Sequence, residues 1–209
     1  MLEAVNLECE RSERVLFSGV AFALKPGELM HVTGPNGSGK TSLLRILCGL
    51  LEPSGGEVRW NGSATARLAE DFHRELAYVG HLNGLSGDLT PSENLEHACA
   101  LADGSTTRDE VAHALASFDL EPFAHTPIRS LSQGQRRRAA LARLALAKAK
   151  PLWLLDEPFS ALDANAVELT SRLIASHRGE GGMVVITAHE TLPQALGPMQ
   201  TLALDGRDA

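Results

Sequence analysis

Apolar residues recur along this chain in two registers, and the alternation between them predicts the order of its elements. Glu28-Leu-Met-His-Val-Thr33 is a short strand-like run that stops at a glycine-rich turn. Beyond the turn, Leu43, Leu44, Ile46, Leu47 and Leu50 fall at helical spacing. Leu152–Leu155 and Met183–Thr187 are continuous apolar runs, as expected of strands buried on both faces of a parallel sheet, and Glu75–Val79 is a weaker one. Strands of this kind, alternating with helices, predict an α/β protein whose mainly parallel sheet is covered on both sides.

Between His81 and Ser130 the strand-like runs disappear. Residues 92–101 and 108–118 read as helices joined by a Gly/Ser/Thr link. Residues 82–130 hold eight acids (Asp88, Glu93, Glu96, Asp103, Asp109, Glu110, Asp119, Glu121) against two bases, Arg108 and Arg129. That imbalance of −6 accounts for most of the chain's formal charge of −7. It fits either a solvated helical face or a lobe that meets a basic partner. Residues 131–150 reverse it, with six bases (Arg136, Arg137, Arg138, Arg143, Lys148, Lys150) and no acid. At 209 residues, 44% hydrophobic and 22% charged, the chain has ordinary globular composition. Its net negative charge and 4% aromatic content disfavour general nucleic-acid binding and base-stacking platforms. Cys9, Cys48 and Cys99 are odd in number and widely spaced, so they read as incidental thiols in a reducing compartment. Residues 1–8 lack a secretory signal pattern. The longest apolar candidate, Ala139–Leu155, is broken by Arg143, Lys148, Lys150 and Pro151, so the chain is expected not to span a membrane and to be cytoplasmic.

Candidate chemistry begins at the glycine-rich turn. Gly34-Pro35-Asn36-Gly37-Ser38-Gly39-Lys40-Thr41 fits G-x-x-x-x-G-K-[ST] and sits between a strand and a helix, the context that motif requires. Its glycines let backbone amides turn inward around an anion, the following helix adds its positive end, Lys40 can bridge outer phosphates, and Thr41 offers a hydroxyl to Mg²⁺. In Leu152-Trp-Leu-Leu-Asp156-Glu157-Pro158, a carboxylate ends a buried strand. Taken alone, two acids before a proline are a turn; downstream of a phosphate loop, Asp156 is placed to hold Mg²⁺ and Glu157 to orient or deprotonate a water.

Leu131-Ser132-Gln133-Gly134-Gln135-Arg136 narrows the class. By itself it reads as an N-capped basic helix, with Ser132 the cap and Gly134 permitting close backbone approach. With the other motifs in order it resembles the L-S-G-G-Q signature of the ATP-binding cassette ATPases, Gln133 standing for the first glycine. In Ser160-Ala-Leu-Asp163, Asp163 resembles that family's dimer-contact loop, and His189 of Ile186-Thr-Ala-His189 resembles its switch histidine. The resemblance covers about residues 2 to 205. It implies an ABC-type P-loop core with a mainly parallel sheet, an N-terminal antiparallel β portion and an inserted α-helical subdomain. One domain, 1–209, would then comprise a nucleotide-binding core at 1–80 and 131–209 with the insert at 81–130.

The resemblance also implies ATP and Mg²⁺ as cofactors, with metal ligands at Thr41 and Asp156 and water activation at Glu157. It implies a head-to-tail homodimer in which Ser132, Gly134 and Gln135 of one copy face the other copy's nucleotide. The insert then resembles the lobe that meets integral membrane subunits.

Two departures stand out. His81 occupies the place of the family's glutamine, ahead of Leu89-Thr-Pro-Ser-Glu-Asn94; a neutral imidazole can contact the attacking or metal-bound water, and protonation would oppose this. The adenine-stacking aromatic expected near Glu10 or Arg11 is missing: Tyr78 is the single tyrosine, Phe17 is out of place, and Arg11 offers a guanidinium plane instead. These oddities, with Leu7–Phe17, Gly80-His81, Gln135-Arg-Arg-Arg138 and a short tail, resemble the ATP-binding subunits of cytochrome c maturation haem exporters. Those work with two small membrane partners at the bacterial inner membrane. The sequence shows no direct haem site, since its eight histidines are scattered and Cys-x-x-Cys-His is absent. Other readings are another small exporter's ATPase, a soluble cassette acting on nucleic acid through residues 136–150, a GTPase switch (for which Asn-Lys-x-Asp is lacking), and a non-hydrolysing scaffold.

Overall fold

A computed structural model of the chain describes residues 1–102, 105–189 and 191–205; Asp103, counted among the insert's acids, lies outside them. Strands β1 (Leu2–Arg11) and β2 (Arg14–Leu24) form an antiparallel hairpin, followed by β3 (Leu29–Thr33) and helix α1 (Lys40–Leu47). Next come β4 (Gly55–Trp60), the two-residue β5 (Ser63–Ala64), α2 (Thr65–Arg74) and β6 (Leu76–Val79). The insert region carries α3 (Pro91–Leu101) and α4 (Arg108–Ala116), and its described residues contain no strand. The chain continues through α5 (Gln133–Leu146), β7 (Leu152–Asp156), α6 (Ala164–Gly179), β8 (Met183–Thr187) and β9 (Gln200–Ala203).

Two sheets result. One is antiparallel, in the order β2-β1-β4-β5; the other has the order β6-β7-β8-β3-β9 with every neighbour parallel. The alternation of side chains along a strand divides the interior into two cores. Leu152 and Leu154 of β7, with Val185 of β8, face α1, α2 and the antiparallel sheet. Trp153 and Leu155, with Val184 and Ile186, face the other way, against residues of α3, α4, α5 and α6. All five residues of both β7 and β8 are buried, which is why these runs are apolar without a break.

Caps explain several boundaries. Thr90–Glu93, Thr107–Glu110 and Ser132–Gln135 form capping boxes at the starts of α3, α4 and α5. Hydrogen bonds from the cap threonines pull the carboxyls of Glu93 and Glu110 below their ordinary pKa, so two of the insert's acids serve as helix caps. Helix α1 is shorter than the apolar spacing predicts. Gly49, at φ 74°, donates to Ile46 O, and Leu50 N donates to Arg45 O, closing a left-handed C-cap that turns the chain outward. Leu50 is therefore 65% exposed instead of continuing the buried face. No described helix is long and apolar enough to cross a membrane. Cys9 and Cys48 are buried free thiols, and Cys99 is half-buried.

Candidate functional site

The C-terminal ends of β3, β7 and β8 converge on one edge of the parallel sheet, and the phosphate-loop motif leaves from the first of them. A Cβ on Gly34 would lie 2.4 Å from Leu204 O and 2.7 Å from Ser38 Oγ, so this position admits no side chain. Gly39 is left-handed (φ 99°) and packs against Phe17, whose ring is buried and so offers no surface to a nucleobase. Helix α1 begins with no side-chain cap and no acid in its first turn, which leaves its N-terminal amides for an external anion. Pro35, Asn36 and Gly37 are exposed, and the buried Ser38 Oγ has no protein partner. Lys40, only 6% exposed, donates from Nζ to Gly34 O (2.8 Å) and Pro35 O (3.0 Å). Burial pushes its pKa down, against the opposing fields of Glu157 and Asp156. A buried ammonium whose protein partners include loop carbonyls is ready to exchange them for phosphate oxygens.

Asp156 ends β7, in register with Thr187 on β8. Thr187 Oγ1 donates to Asp156 Oδ1 (2.6 Å) and Thr41 Oγ1 donates to Oδ2 (2.8 Å), so the carboxylate ties α1 to the strand ends. Thr41 and Asp156 are hard oxygen donors side by side, the set that Mg²⁺ prefers. Glu157 follows in the left-handed region (φ 50°), its N–H held by Thr187 O (3.1 Å) and Thr187 Oγ1 (3.0 Å). One carboxylate oxygen lies 2.7 Å from His189 Nε2, the other 3.7 Å from His81 Nδ1. The structure thus brings His81 and His189, distant in sequence, to the two oxygens of Glu157.

Ser132 accepts from Gln135 N (3.2 Å), and Gly134 lies so close to Ala161 that a Cβ would meet its carbonyl at 3.1 Å. The signature segment therefore abuts the loop that ends at Asp163, which itself accepts from Ala166 N (2.8 Å) as the cap of α6. Among the described residues, no hydrogen bond joins these segments to the phosphate loop.

Sequence reasoning missed Thr187 and Arg137. Arg137 appears in sequence as one base in a basic run, yet it is 3% exposed and donates to Gly80 O, Asn83 Oδ1, Asp156 O and Glu157 O. Its neighbours also turn inward: Arg136 bonds Leu131 O, Arg138 bonds Phe118 O, Arg143 bonds Asn83 O and Lys150 bonds Arg74 O. This leaves Lys148 as the exposed base of the run. Among the described residues, no group of three or more His, Cys, Asp or Glu is placed to hold a metal. A groove of about 860 Å³, lined in part by Tyr78, Cys99, His113, Arg143 and Leu146, lies between the insert helices and the edge of the parallel sheet, and none of the site residues expected from sequence lines it.

Comparison with known proteins shows the family and the fold. The family model described as ABC transporter matches residues 17–160. The chain is 50% identical over 204 residues to the cytochrome c biogenesis ATP-binding export protein CcmA of Nitrosomonas europaea, covering 98% of this chain and 95% of the relative. A dimeric bacterial ABC transporter cassette superposes with TM-score 0.85 at 27% identity, covering 100% of this chain and 97% of that one. A dimeric cassette in a post-hydrolysis state, bound to ADP and Pi, superposes with TM-score 0.81 at 29% identity, covering 91% and 88%.

Proposed function

The chain belongs to the ATP-binding cassette transporter ATPases, and from that membership we propose that it is the ATP-hydrolysing subunit of a membrane exporter serving cytochrome c maturation, with haem as the cargo. The name of its half-identical relative supports the biological role. The observation that carries the chemistry is Asp156 bonded to both Thr41 and Thr187, with Glu157 beside it between two histidines.

In this reading the amides of residues 34–39 and the start of α1 bind the outer phosphates of ATP, and Lys40 exchanges its loop carbonyls for phosphate oxygens. Thr41 and Asp156 would hold Mg²⁺, which when bound would supply positive charge to offset that of the phosphate tail. Glu157 orients the attacking water and takes its proton. His189 fixes one oxygen of that carboxylate and contacts the γ-phosphate. His81, in the place of the family's glutamine, faces the other oxygen.

Ser132, Gly134, Gln135 and Asp163 act across a head-to-tail homodimer, consistent with their separation from the phosphate loop of their own chain. The core comprises 1–80 and 131–209; the lobe 81–130 meets the integral membrane subunits, placing the protein peripherally on the cytoplasmic face of the inner membrane. The inward-turned arginines of α5 weaken the nucleic-acid alternative.

Glu157→Gln tests the chemistry. It should bind ATP like wild type and hydrolyse it two to three decades more slowly, a loss of about 3–4 kcal/mol in transition-state stabilisation. A rate within a few fold of wild type would refute the assignment. Purification from solubilised membranes tests the role: two small cytochrome-maturation membrane proteins should accompany the chain, and a lipid or peptide exporter in their place would overturn it.

A further inference from the structure

Glu157 has a backbone conformation that side-chain-bearing residues rarely adopt, so something must hold it there. Thr187 secures its N–H. The carbonyls on both sides of its Cα, Asp156 O and Glu157 O, accept from a single nitrogen, Nη2 of Arg137, at 2.8 Å each. Nη1 of the same guanidinium donates to Gly80 O (3.0 Å), the carbonyl of the peptide bond that enters His81, and to Asn83 Oδ1 (3.1 Å). One rigid planar group therefore sets the separation of two backbones whose side chains, His81 and Glu157, meet at 3.7 Å. Burial lowers the pKa of Arg137 while the negative charge of Asp156 opposes this, and a guanidinium remains charged in either case.

We infer that Arg137 is a positioning residue for ATP hydrolysis, clamping Glu157 in the orientation that presents its carboxylate to the attacking water and holding the His81 loop beside it. This rests on the role of Glu157 proposed above. Lysine cannot replace the clamp, because an ammonium lacks the fixed fork that spans four acceptors. Arg143 provides a matched control on the same helix. It is half-buried and bonds Asn83 O (2.8 Å), but none of its hydrogen bonds reaches Gly80, Asp156 or Glu157.

The test compares Arg137→Lys, Arg143→Lys, Glu157→Gln and the double variant Arg137→Lys/Glu157→Gln, each purified with its membrane partners. ATPase kinetics and ATP binding are measured for all four. Arg137→Lys should lower kcat about 10²-fold, with KM and ATP affinity unchanged within about twofold, since no phosphate-loop contact is lost. Arg143→Lys should keep kcat within about threefold of wild type. In the Glu157→Gln background, Arg137→Lys should change the residual rate by less than about twofold, because a clamp that acts through Glu157 has nothing left to position.

The inference is overturned if Arg137→Lys retains wild-type kcat, if its loss is as large without Glu157, or if the two arginine variants behave alike. Should Arg137→Lys not assemble, Arg137→Gln is judged by the same criteria; failure of both to assemble would assign the arginine to folding instead. Near-wild-type hydrolysis by Glu157→Gln would sink the role of Glu157 itself, an outcome read independently of the clamp.

Discussion

His177 on α6 lies flat on the indole of Trp153, with ring centroids 3.8 Å apart and planes within 3°. It is 4% exposed and its Nε2 has no hydrogen-bond partner. Gly182 presses on the ring, since a Cβ there would lie 2.1 Å from Nε2. Burial pushes the imidazole from an ordinary 6.5 down to about 4, with Glu180 opposing the shift. The unfolded chain therefore binds this proton near pH 6.5 and the native protein not until about pH 4. Stability from the neutral ring is fully present above pH 6.5 and drains away as pH falls through the interval. At about 1.36 kcal/mol per pKa unit the whole effect is about 3 kcal/mol, of which about 2 kcal/mol falls between pH 7 and pH 5. Urea unfolding followed by far-UV circular dichroism at pH 7, 6 and 5 measures it. His177→Gln, which cannot titrate, should be less stable at pH 7 but lose about 2 kcal/mol less than wild type on acidification. Parallel stability profiles for the two proteins would refute the buried, neutral imidazole.

Three further outcomes are expected. Lys40→Ala removes the cation that donates into the loop and should weaken ATP binding about 10- to 10²-fold by calorimetry; unchanged affinity would place the triphosphate elsewhere. Thr187→Val deletes the 2.6 Å donor to Asp156 and an acceptor for the Glu157 amide. It should raise the Mg²⁺ concentration needed for half-maximal ATPase several-fold, about 1 kcal/mol, and an unaltered Mg²⁺ dependence counts against Asp156 as metal ligand. His81→Gln, which keeps a polar group facing Glu157, should retain most of the ATPase rate, whereas His81→Ala should lower it several-fold. Equal rates for His81→Ala and wild type would remove His81 from the site.

The groove between the insert helices and the sheet edge shows why cavity size does not locate the chemistry here. Its lining is mostly apolar, and of the bases that border it Arg143 and Lys150 are already bonded to backbone carbonyls. The proposed nucleotide site instead offers the uncapped N-terminal amides of α1, for which a charged ligand would supply the missing partners.

What could be read without coordinates was local. The phosphate loop, the capping residue Ser132, the strand ending in Asp156-Glu157 and the buried strands each depend on residues within a few positions of one another, because backbone conformation and strand or helix periodicity are short-range properties. The N-terminal antiparallel sheet came from family resemblance, since the β1 pattern is interrupted by register shifts on both of its edges. Tertiary structure alone decided the strand order that sets β8 between β3 and β7, and with it the meeting of Thr187 and Asp156. It alone turned Arg137, Arg143 and Lys150 inward, where composition suggested a basic surface. A charged side chain's partners are set by which distant carbonyls need donors in the packed interior, and that demand exists only once the sheet and the insert have come together.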